Sequence, residues 1–169
     1  MKNIIYVDEN DEVIGSGSMD KARSNGITVR IVRIFLVNDQ GQVLLQKRSD
    51  SVRTNPGQWD QAAGGHVDEG DSYEEAAERE LKEEMGISDV PLEKLTKYFA
   101  VETDDPPYVK KRFNMLFEGK YSGKVIIDDE EVSNYKWVSI NELKTWVEKS
   151  PADFPEGFKQ AFKKYLEYS

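Results

Sequence analysis

Residues 65–87, GHVDEGDSYEEAAERELKEEMGI, constrain this chain more than any other stretch. The middle of it, 73–85, contains neither Gly nor Pro and is dense in Ala, Glu, Leu, Lys and Arg, so its composition predicts a helix. Asp71 or Ser72 can cap the start, and Gly86 suits the stop. At about 100° per residue, Tyr73, Ala76, Ala77 and Leu81 form an apolar stripe that needs a core to face. Glu80, Glu83 and Glu84 fall on that same side, while Glu75, Glu78, Arg79 and Lys82 fall on the far one. Three carboxylates sharing an edge repel one another, and partial burial raises the cost. A bound divalent cation removes both penalties, and an all-oxygen donor set suits a hard ion, Mg²⁺ or Mn²⁺. On the helix alone, a solvated acidic face is the competing reading.

Gly64 and Gly65 precede the helix by a short loop that also holds Gly70. Glycines there let the backbone turn tightly and approach a ligand. The whole stretch resembles the Nudix box, G-x5-E-x7-R-E-U-x-E-E-x-G-U with U aliphatic. Gly65, Arg79, Glu80, Leu81, Glu83, Glu84, Gly86 and Ile87 match it, and Asp71 stands where the family has Glu. The resemblance implies an α/β/α sandwich around a mixed β-sheet. It also implies metal-dependent hydrolysis of a diphosphate linkage in a nucleoside diphosphate derivative or similar organic pyrophosphate. The implied metal ligands are Glu80, Glu83 and Glu84 with the backbone carbonyl of Gly64, and Arg79 is implied to orient the glutamates. Asp71, one methylene shorter than Glu, is expected to reach a metal through water or to reach Arg79. Family members often take a base from outside the box, which makes Glu131, in the acidic run 128–131, a candidate against a solvated loop. The expected catalytic set is therefore Arg79, Glu83, Glu84 and Glu131.

Arg48 and Arg53 flank the loop that leads to the glycines and are candidates for phosphate contacts. Trp59, Tyr98 and Tyr108 could stack on a base or sugar, with a core role as the commoner alternative.

A net charge of −9 with no long basic stretch argues against a nucleic-acid polymer as partner. It leaves open a small phosphorylated substrate whose charge a metal offsets. The absence of cysteine excludes disulfides and thiolate chemistry. No apolar run near the start is long enough for a signal peptide or membrane span, so a cytoplasmic protein without membrane attachment is expected.

Short apolar runs at 4–7 and 12–14 bracket an acidic turn and predict a hairpin. A polar connector follows, with a helical turn around 19–24. This hairpin and connector, residues 1–26, precede a hydrolase domain at 27–169. Residues 28–37 read as a central strand despite Arg30 and Arg33, and 42–47 as its hairpin partner. Further strands are expected at 58–63, 92–102, 108–118 and 135–138, the second stopped by Asp104-Asp105-Pro106-Pro107. Helices are expected from the Ser139/Glu142 capping pattern to about 149 and at 158–168.

Beyond the box, VDENDEVIG, FLVNDQGQVLLQKRS and PGQWDQAAGGHV resemble the isopentenyl-diphosphate-isomerase-like branch of Nudix proteins. Isomerases of that branch use a Cys just before the Gly-His pair and hold a metal with several histidines. Gly64 takes the Cys position here, and only His66 remains of the histidines. A hydrolase is therefore expected. A nucleotide-binding domain without turnover is the alternative, and an isomerase is a weaker one. Dimerisation among relatives makes the N-terminal hairpin a candidate homodimer contact.

Overall fold

The computed structural model describes residues 2–103 and 107–169, so Asp104, Asp105 and Pro106 of the expected strand stop lie outside the described residues. Everything is built along β3 (Thr28–Val37). One edge of β3 pairs in parallel with β8 (Val109–Lys120) over ten residues, from Thr28↔Lys111 to Val37↔Lys120. Its other edge is shared in sequence by β1 (Ile4–Val7), β6 (Ala63–His66) and β4 (Gln42–Arg48). β2 (Val13–Gly17) extends β1, and β7 (Glu93–Thr103) lies outside β8. β4 carries β5 (Trp59–Gln61) and β9 (Val132–Ser139), all antiparallel.

The strand expected at 58–63 is split in two. Gln61 pairs with Leu45 of β4, whereas Ala63 pairs with Ile34 of β3, so the chain changes partner at Ala62. The strand expected at 135–138 is longer than its apolar pattern, because β4 supplies partners from Gln42 to Arg48. Helix α1 (Met19–Asn25) fills the polar connector, capped by Ser18 and stopped at Gly26 with φ of 64°.

Alternation along β3 sends side chains to two helix layers. Val32, Ile34 and Leu36 pack with Tyr73, Ala76, Ala77, Leu81 and Met85 of α2 (Tyr73–Met85). Phe35 and Val37 pack with Leu143 of α3 (Ile140–Lys149) and with Phe158, Ala161, Phe162 and Tyr165 of α4 (Glu156–Tyr168). The result is an α/β/α sandwich with a mixed sheet. Trp59 and Tyr98 belong to the α4 layer, Trp59 meeting Trp146 edge-on at 5.5 Å, whereas Tyr108 is exposed.

The N-terminal hairpin is part of this construction. β1 is buried, with Ile5 and Val7 in the α2 layer. The acidic turn is held from within: Asp8 Oδ1 accepts the N–H groups of Asn10 and Glu12. Asp11, at φ 62°, accepts hydrogen bonds from Arg30, Tyr73 and Lys97. No described helix is long and apolar enough to cross a membrane.

Candidate active site

Helix α2 starts where Ser72 Oγ accepts the Glu75 N–H at 3.1 Å and ends at Gly86 in the left-handed conformation. Its apolar stripe fixes its rotation, and that rotation turns Glu84 inward to 4% exposure. Glu80 is nearly as covered, while Glu83 stands half out of the surface. The carboxylates rest against β6. Glu84 Oε1 accepts the Gly64 N–H at 3.0 Å. A Cβ at Gly65 would overlap the Glu80 carboxylate, and one at Gly64 would lie 2.9 Å from the Val32 carbonyl oxygen, so neither position admits a side chain.

Burial pushes the Glu80 carboxyl up to about 7 against the pull of Arg79. Glu84 is raised well above the usual range by burial and then by Glu80. Glu131 is raised by burial, by Asp128 and by Glu83. These are carboxylates with too little positive charge around them. Their hard oxygen donors, beside a glycine backbone with room for nothing larger, fit a divalent cation. Among the described residues no three acidic or histidine side chains already form a closed cage. One oxygen of Glu80 is taken by Arg79 and one of Glu84 by Gly64.

Arg79 departs from its place on the helical wheel. Its long side chain curls back from the far face to the acid edge, where Nη1 lies 2.8 Å from Glu80 Oε1 and 3.7 Å from Glu83 Oε2. Asp71 and Asp68 each hold it at 3.3 Å, and its Nη2 donates to the His66 carbonyl oxygen. Asp71 thus reaches Arg79 despite its shorter chain, and Asp68 is a positioning partner with no signal in the sequence.

One cleft of about 1030 Å³ is lined by Gly64, Arg79, Glu80, Glu83, Glu84 and Glu131, and also by Arg48 and Arg53. Arg48 is fixed there by Thr54 and by Asp60 at 3.9 Å, whereas Arg53 sits on the rim, paired with Asp20 of α1 at 2.9 Å. The same cleft has a cationic wall on the α4 side of the sheet, built from Arg33 of β3 and Arg112 of β8, both buried. Arg33 donates to Asn114 at 3.0 Å and to Gln61 at 3.2 Å, and Arg112 pairs with Glu102 at 2.7 Å. Arg33 was legible as a charge interrupting an apolar strand; Arg112 sits in a Lys-Lys-Arg run that carries no such contrast. His66 feels this wall: burial, then Arg112, Lys110 and Arg33, hold its imidazole down at about 4.

The sandwich, the glycine-cradled acidic helix and the cationic cleft define a Nudix domain. The NUDIX domain family model matches residues 28–158, and the chain belongs to that family. Within the family it falls in the isopentenyl-diphosphate-isomerase-like branch. It is 31% identical over 157 residues to isopentenyl-diphosphate Delta-isomerase 2 of Photorhabdus laumondii, covering 93% of this chain and 88% of that one. It is 33% identical over 135 residues to an uncharacterized Nudix hydrolase of Pseudomonas aeruginosa, covering 80% of this chain and 77% of that one. A crystal structure of a Deinococcus radiodurans protein superposes with a TM-score of 0.79 at 25% identity, over 97% of this chain and 99% of the other.

Proposed function

We propose that this protein is a divalent-metal-dependent pyrophosphohydrolase acting on a nucleoside diphosphate derivative or similar organic pyrophosphate. What supports the reading most is the pair of mutually repelling carboxylates, the buried Glu84 and the largely covered Glu80, against the glycine backbone of β6. Glu80, Glu83, Glu84 and the Gly64 carbonyl would hold Mg²⁺ or Mn²⁺. A bound cation of this kind offsets charge on phosphate oxygens and lowers the pKa of water. Arg79, clamped by Asp68 and Asp71, keeps Glu80 and Glu83 in place. Arg48 and Arg53, which line the same cleft, would meet the diphosphate. A water oxygen attacks one phosphorus, the bridging P–O bond breaks, and two phosphate monoesters leave. Glu131, whose raised carboxyl lines the cleft, takes the proton of the attacking water.

The relatives named as isomerases raise a second reading, movement of an allylic double bond in isopentenyl diphosphate. Two features weigh against it: the chain has no cysteine, and it has a single histidine where isomerases of that branch hold a metal with several.

Phosphate release from a panel of nucleoside diphosphate derivatives, with a coupled phosphatase and Mg²⁺ or Mn²⁺, tests the proposal. Glu84→Gln is expected to lower turnover by on the order of 10²–10³-fold while the protein stays folded. Equal turnover in the two proteins, or conversion of isopentenyl diphosphate to its isomer, overturns it.

A further inference from the structure

The far end of the cleft contains a second set of groups that the hydrolytic chemistry does not use. Helix α4 begins at Pro155 with no side-chain cap, and Pro155 and Gly157 both line the cleft. The first-turn N–H groups of a helix have no partners within it and carry the positive end of its dipole. The two buried guanidiniums face that end. A methyl group at Gly157 would overlap Arg33 Nη2 and touch Arg112 Nη2 at 3.4 Å, so both side chains reach the same glycine. Arg112 is 9% exposed, and its Nε has no hydrogen-bond partner among the described residues.

Three positive ends therefore meet in a poorly solvated place. The carboxylates facing them are Glu102, taken by Arg112, and Asp60, which lies 4.0 Å from Arg33 and 3.9 Å from Arg48. Burial and the neighbouring Arg33 hold the Arg112 guanidinium down at about 10. An anion among these groups would supply the missing acceptor for Nε, cap the helix and offset the repulsion.

We propose that Arg33, Arg112 and the N-terminus of α4 at Gly157 form a phosphate-binding subsite, separate from the carboxylates of α2. Arg33, Arg112 and Gly157 line the same cleft as Glu80, Glu83 and Glu84, the guanidiniums reaching it from the α4 face of the sheet and the glutamates from the α2 face. The subsite is placed to receive a phosphate group of the substrate that is not the one attacked. That last point rests on the hydrolase reading; the binding itself does not.

The test is a titration of the isotopically labelled protein in EDTA, where no turnover occurs, followed by amide NMR. Inorganic phosphate and a nucleoside monophosphate are added in separate series. The Gly157 amide is expected to shift in both, with tighter binding of the nucleotide if the subsite serves a substrate and equal binding if it serves the free ion. Arg112→Lys, which keeps a charge beside Glu102, and Gly157→Ala, which fills the cradle, are each expected to weaken phosphate at least tenfold. Retained one-dimensional spectra in either variant establish folding. No shift at Gly157 with either ligand, or undiminished affinity in a folded variant, overturns the proposal.

Discussion

Asp11, a buried carboxylate, and Glu80, a largely covered one, are both within reach of an arginine, and they are held in opposite ways. Asp11 accepts from Arg30, Tyr73 and Lys97, and although burial pushes its carboxyl up, these hydrogen bonds prevail and leave it below its ordinary value. Glu80 has Arg79, but burial prevails and Glu83 and Glu131 add repulsion, so its carboxyl rises. The first acid is finished by the fold and ties the N-terminal turn to α2 and β7. The second is left short of positive charge, and that shortage makes the box a place for a cation. Burial alone does not mark a functional acid; the balance of its partners does.

The largest expected effect is at the finished site. Asp11→Ala leaves Tyr73 and the Arg30 Nε without their acceptor, and breaking such a buried pair costs about 3–5 kcal/mol. Urea unfolding would show it, and a change below about 1 kcal/mol would remove Asp11 from the structural role assigned here.

The unfinished site is expected to work in the other direction with pH. Glu80 holds its proton up to about 7 in the folded protein against 4.5 ordinarily. This contribution to stability is complete below the lower value and is lost as pH rises through the window to the upper one. At 1.36 kcal/mol per unit it amounts to about 3 kcal/mol. Asp11, with its folded value depressed, loses its contribution only at more acid pH. Denaturant midpoints in EDTA should fall between about pH 5 and about pH 8, and excess Mg²⁺ should recover the loss at the higher pH. A midpoint that climbs with pH in EDTA would contradict the assignment.

Least is expected at the rim. Arg53 and Asp20 are each about two-thirds exposed. Arg53→Ala should change stability by no more than about 0.5 kcal/mol and raise KM with kcat preserved. A fall in kcat would move Arg53 from binding into the chemistry.

The local parts of this arrangement were legible in the sequence. Capping residues and an uninterrupted run of helix formers bound α2 at Tyr73 and Met85, and the β-branched run with its Asn-Asp-Gln-Gly turn bounds β3. What escaped depends on long side chains or distant pairing. A wheel reports where a Cβ points, and Arg79 has enough reach to double back on it. Arg33 and Arg112 are 79 positions apart in the chain and four positions out of register in the parallel β3–β8 ladder, and their long side chains come together only at Gly157 of α4, for which no short-range pattern exists. The switch of partner at Ala62 likewise depends on β3 and β4 diverging, not on residues 58–63 themselves.

β3 sends Val32, Ile34 and Leu36 to one helix layer and Arg33 and Phe35 to the other. A single-residue insertion inside it would exchange the two sets, sending a guanidinium among the alanines of α2 and withdrawing it from the cleft. Loop 49–58, which carries Arg53 and Thr54 at the mouth, is under no such rule, since added length there costs only a slowly growing closure entropy. The chain can therefore lengthen at the rim but not along the floor, and new substrate preferences can be gained by loop growth while the sheet stays in step.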